Sequence, residues 1–139
     1  MVAVAFLAAC GGSGGKALSR TDYASKADAV CSKYSQQTKA LGNPSDLSGL
    51  ATVADKTLPI LGNALTDLKK LKPPAEERDT VNQWLAQVEN LKGDLKEIRD
   101  KAKTGDAQGV RAVVPQASQH NQKSNQLASK LGMSVCNKD

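Results

Sequence analysis

The chain has one histidine, His120, in 139 residues. No cluster of imidazoles can form around a metal, and any Ser/His/Asp arrangement would have to use that single ring. Aromatic residues are nearly as scarce: Phe6, Tyr23, Tyr34 and Trp84 are all there are. That poverty argues against a β-sandwich or barrel, whose sheets are filled by β-branched and aromatic side chains. No apolar run approaches the roughly 18 residues that a membrane-spanning helix needs. No glycine-rich loop leads into Lys-Ser or Lys-Thr, so a phosphate cradle of the P-loop kind is missing. No serine sits in anything resembling a nucleophile elbow. The expectation is of a protein that is not an enzyme and carries neither metal nor cofactor.

What the chain has in quantity is alanine (19), leucine (15) and valine (10). The first two favour helix. Apolar residues at 40% can build a core, and charged residues at 24% are ordinary for a folded domain. The length suits one domain. The net charge of +5 suggests nucleic acid, but the basic groups are spread over the whole chain, mixed with acids, and not interleaved with aromatics. They read as a solvated surface with weak attraction to anionic lipid, and no nucleic-acid partner is expected.

The first nine residues are uncharged and almost all apolar, and they end in Leu7-Ala8-Ala9-Cys10 before Gly11-Gly12-Ser13-Gly14-Gly15. This resembles a bacterial lipobox, in which the cysteine takes a thioether-linked diacylglycerol and the signal is cut just before it. Residues 1–9 then read as a truncated signal peptide, since no basic residue precedes the apolar stretch. Residues 10–18 read as a flexible Gly/Ser-rich tether and 19–139 as the folded domain. The expected location is the outer face of the cell membrane, with the membrane itself as a partner through Cys10.

With Cys10 set aside, Cys31 and Cys136 remain. An even remainder fits a disulfide in an oxidising compartment, the alternative being two buried free thiols. A bond between them would span 105 residues, and chain-entropy arguments give about 4–5 kcal/mol for such a closure.

Four amphipathic segments follow the tether. The first opens near Ser19 with Asp22 as a capping acid, carries Ala27, Val30, Cys31, Tyr34, Thr38 and Leu41 on one stripe, and stops at Gly42. Asn43-Pro44-Ser45-Asp46 reads as cap, proline in the first turn and dipole-favoured acid of the second helix. That helix keeps one leucine stripe from Leu47 to Leu71 across Pro59. Lys72-Pro73-Pro74 separates it from the third helix, whose Val81, Trp84, Val88, Leu91, Leu95, Ile98 and Ala102 form a heptad seam. Glu89/Lys92 and Glu97/Lys101 are expected to pair on its outer face. Thr104-Gly105-Asp106 is a tight turn into a fourth helix that ends at Gly132. The architecture expected is all-α: an antiparallel up-and-down four-helix bundle closed by one disulfide.

These elements, in this order, resemble the small helical-bundle lipoproteins of actinobacteria. The resemblance is carried by Leu7-Ala8-Ala9-Cys10, Ala27-Asp28-Ala29-Val30-Cys31, Lys72-Pro73-Pro74, Thr104-Gly105-Asp106 and Leu131-Gly132-Met133-Ser134-Val135-Cys136. It covers most of the chain and implies anchor, disulfide and helical fold. It brings no catalytic residues.

The most unusual stretch is Gln116–Gln126, where only Ala117 is apolar although helical phase turns Asn121 and Ser124, with His120 at the margin, toward the bundle. It is read either as the wall of a polar pocket or as a shallowly packed outer face. Tyr34 and Trp84 are the other candidate pocket residues, with core packing as their plainer role. The leading expectation is a non-enzymatic envelope module that binds an unknown envelope protein or serves a structural role. The alternative is a carrier or sensor of a small ligand held between the helices. A concavity lined by Trp84, Asn121 and Ser124 would favour the alternative, and a filled core with an exposed apolar patch the first.

Overall fold

The computed structural model describes residues 15–138. The expected signal segment, Cys10 as the expected lipid-attachment residue and the first part of the tether lie outside the described residues. Among those described, the regular elements are α1 (Arg20–Lys39), α2 (Leu47–Lys69), α3 (Arg78–Lys103) and α4 (Ala107–Lys130), with a single 3-10 turn at Ala75–Glu77 before α3. They form an antiparallel four-helix bundle, and no helix among them is long and apolar enough to cross a membrane.

Local chemistry sets the boundaries. Ser19 caps α1, its Oγ accepting the Asp22 N–H at 3.1 Å. Asp106 caps α4 in the same way, accepting the Gly109 N–H at 2.7 Å. The cap of α2 is Asp46, which accepts the Gly49 N–H at 2.7 Å, and not Asn43. Asn43, Pro44 and Ser45 stay in the connection, because a side-chain acceptor immediately before Leu47 outcompetes one three residues further out. Gly105 and Gly132 adopt left-handed backbone, φ 74° and 81°, at the exits of α3 and α4, where a side chain would be strained. The helices α2 and α4 run unbroken through Pro59 and Pro115.

The core is in two parts. At one end of the bundle Tyr23, Ala24 and Ala27 of α1 pack with Leu68, Val81, Trp84, Ala128, Leu131 and Met133. At the other end Ala51, Ala102 and Val110, backed by Leu47, Leu50 and Ile98, make a smaller cluster to which α1 contributes nothing. The broad interfaces are α3 with α4 and α2 with α3, while α1 lies more lightly on α2 and barely meets α4 along its length. The expected side-by-side neighbourhood of the first and fourth helices is thus confined to one end. Short α1 residues (Ser32, Ser35, Thr38) offer little apolar bulk to pull its second half inward.

That end is closed by three devices. Cys31 and Cys136 are bonded, with Cα atoms 5.3 Å apart. Asp28 accepts the backbone N–H groups of Ser134, Val135 and Cys136 at 2.8–2.9 Å and the Ser134 hydroxyl at 3.0 Å. Arg20 donates to the Lys130 carbonyl at 2.6 Å and pairs with the buried Glu77 at 3.0 Å, so one guanidinium ties the starts of α1 and α3 to the end of α4.

One expected surface pair changes partner. Glu97 does pair with Lys101, at 3.7 Å, but Glu89 reaches across to Lys69 on α2 rather than along its own helix to Lys92. Two acids, Glu77 and Asp94, are buried.

Candidate functional site

Because the second half of α1 stands off from α3 and α4, the space between the two core clusters is not filled by side chains. A cavity of about 370 Å³ occupies it, lined by all four helices and the C-terminal tail. From α2 come Thr57, Ile60, Leu61, Ala64 and Leu68, and from α3 Trp84, Val88 and Leu91. These make an apolar floor. The α1 wall is Cys31, Tyr34, Ser35, Thr38 and Lys39, and the tail adds Val135, Cys136 and Lys138, so the disulfide itself is part of the wall. The fourth side is Asn121, Ser124 and Asn125 of α4.

The polar middle of α4 therefore has two adjoining faces with different duties. Asn121, Ser124 and Asn125 face the cavity, with Ser124 only 4% exposed. Gln116 and His120 face α3 instead. Gln116 Nε2 donates to Asp94 Oδ1 at 2.7 Å and His120 Nδ1 donates to Asp94 Oδ2 at 2.6 Å. Asp94 is 4% exposed, so this is a polar clamp inside the α3–α4 interface. Of the five residues singled out as a possible pocket, Tyr34, Trp84, Asn121 and Ser124 line one cavity, and His120 does not join them. Sequence reasoning missed Asp94. Its only trace is indirect: it follows Leu91 by three residues, on the inward side of the seam, opposite a helix that has turned polar.

Each lining group is held from behind. The Tyr34 hydroxyl donates to Asp67 Oδ2 at 2.6 Å, tying α1 to α2 at the rim. The Tyr34 hydroxyl, helped by Lys70 and Lys33, pulls the Asp67 carboxyl down to about 2. Lys33 also stands 4.5 Å from the Tyr34 ring centre, a cation–π distance. Trp84 is 1% exposed, and its indole Nε1 has no hydrogen-bond partner among the described residues. Beneath it, Tyr23 is fully buried, and burial together with the nearby Glu77 charge pushes its hydroxyl up to about 12. These surroundings suit non-covalent capture: a mainly apolar enclosure, a small set of hydroxyls and amides, and a mouth open to solvent.

Among the described residues no three His, Cys, Asp or Glu side chains come together in a way that could hold a metal. Compared with protein-family models, with curated proteins and with solved structures, the chain matches none.

Proposed function

We propose that this protein is a binding protein of the cell envelope that holds a small ligand in the cleft between α1 and the other three helices. The observation that carries the reading is the cavity itself. Its volume of about 370 Å³ falls at the small end of the range for ligand sites, roughly 300–1,000 Å³, and its walls combine an apolar floor with convergent polar groups. Trp84, Asn121 and Ser124 meet on it, which favours a carrier or sensor over a docking module. The docking reading has less support, because Val114, at 51%, is the one large apolar residue exposed among the described residues.

Export and a lipid anchor complete the proposal. The Leu7-Ala8-Ala9-Cys10 sequence supports attachment of lipid at Cys10, and the Cys31–Cys136 bond is of the kind that an oxidising compartment permits. The role is binding rather than turnover, with the membrane as the anchoring partner.

Native mass spectrometry of protein extracted from its own membrane tests the ligand. A non-covalent species should travel with the protein beyond the lipid on Cys10, and Thr38→Phe, which narrows the cleft from the α1 side, should lose it. A wild-type protein that retains nothing rejects the carrier reading. Cys10→Ala should release the protein from the membrane or leave it unprocessed, and unchanged detergent partitioning would reject the anchor.

A further inference from the structure

Among the described residues, no acidic side chain lines the cleft. Two lysines do, Lys39 in the last turn of α1 and Lys138 in the tail. Both are exposed and both line the cavity, which puts them at its mouth. Five other lysines are engaged: Lys33 and Lys70 with Asp67, Lys69 with Glu89, Lys101 with Glu97, Lys103 with Asp55. Neither Lys39 nor Lys138 has an ion-pair partner among the described residues.

Taking the cleft as a ligand site, we infer that its ligand is a single-chain amphipath with a carboxylate head. The head meets Lys39 and Lys138, and the chain lies against Ile60, Leu61, Val88 and Leu91 and ends near Trp84. Three features of the cleft converge on that class. The floor is a run of aliphatic side chains, which rewards a methylene chain in proportion to the area buried. The volume holds one chain and is small for a two-chain lipid. The mouth offers positive charge, and among the described residues no carboxylate lines the walls to compete for it. Because both lysines are solvated, the charge selects among heads while the floor supplies most of the affinity.

The purified, delipidated protein is titrated with decanoate, decanol and decyltrimethylammonium, following the emission of Trp84, the only tryptophan. Decanoate should bind roughly fivefold more tightly than decanol, with the cation weakest, and the margin should shrink as salt is added. K39Q/K138Q should abolish the margin and leave decanol binding in place. K56Q/K96Q removes the same two units of charge on α2 and α3, away from this cleft, and should leave the margin intact. An ω-bromodecanoate should quench Trp84. Equal affinity for decanoate and decanol, or a margin that survives in K39Q/K138Q, overturns the carboxylate assignment while the cleft stands as a binding site. Failure of all three probes to bind overturns both.

Discussion

Asp28 Oδ1 accepts the backbone N–H of Cys136 at 2.9 Å, less than one helical turn before Cys31, the residue to which Cys136 is bonded. The covalent link and the carboxylate thus hold the same few tail residues, and those residues are one wall of the cleft.

The two should weaken in sequence under acid and reductant. Burial pushes the Asp28 carboxyl up, but the backbone donors of Ser134, Cys136 and Val135 and the Ser134 hydroxyl outweigh it and hold the group below its usual 3.8. A depressed carboxyl stabilises the fold above its unfolded value, and that stability is lost as pH falls through the lower folded value. Asp28→Ala should cost about 1–2 kcal/mol at neutral pH and speed amide exchange over residues 134–136. Reduction of the disulfide should cost about 2–4 kcal/mol more, read by denaturant unfolding with and without reductant.

A second acid-sensitive contact lies on the other rim. The Tyr34 hydroxyl, then Lys70 and Lys33, draw the Asp67 carboxyl from 3.8 to about 2. Its contribution is present in full above the unfolded value and disappears between about pH 4 and pH 2. Tyr34→Phe should move the Asp67 titration, followed by carboxyl NMR, back toward its ordinary range and flatten the acid limb of the stability profile. An unmoved titration would show that the lysines alone set it.

Much of this was legible from spacing. The heptad seam of α3 places Trp84 and Val81 correctly because long helical periodicity is averaged over many residues. The caps at Ser19 and Asp106 and the turn at Gly105 follow from side-chain acceptors and backbone sterics that act within a few residues. The burial of Tyr23, the Asp94 clamp and the standing-off of α1 were not legible. Each depends on what a partner helix presents. Asp94 is tolerated inside because His120 and Gln116 meet it, and nothing in the sequence around Asp94 announces them. The cleft exists for a related reason: the stripe of α1 has inward positions, but too little apolar volume on its second half to fill the gap.

Trp84 should emit as a buried indole, shifting to the red on unfolding. Trp84→Ala should cost about 3–5 kcal/mol, through lost transfer energy and an enlarged cavity. Trp84→Phe should cost only about 1–2 kcal/mol, because it also removes a buried N–H that has no partner among the described residues. A solvated emission spectrum from the folded protein would contradict the placement of α3.

The Asp94 clamp should respond asymmetrically. His120→Leu leaves the buried carboxylate with Gln116 alone, and should cost about 2 kcal/mol or more. Asp94→Leu removes the buried charge, while Gln116 is exposed and His120 half-buried, so both can turn to water. It should be markedly milder, and thermal unfolding of the two variants side by side decides the matter.

Because the bond between Cys31 and Cys136 closes behind the whole of α2, α3 and α4, the greater part of the polypeptide is a covalent ring. The exposed turns at Gly42 and Gly105 both lie on that ring. A protease that nicks either turn opens the ring without dividing the molecule: on a non-reducing gel the product keeps its full mass, and only a thiol separates the pieces. A protein tethered by its N-terminus would therefore hold on to all four helices after a single extracellular cut, shedding its C-terminal part only if the cut and a reductant arrived together.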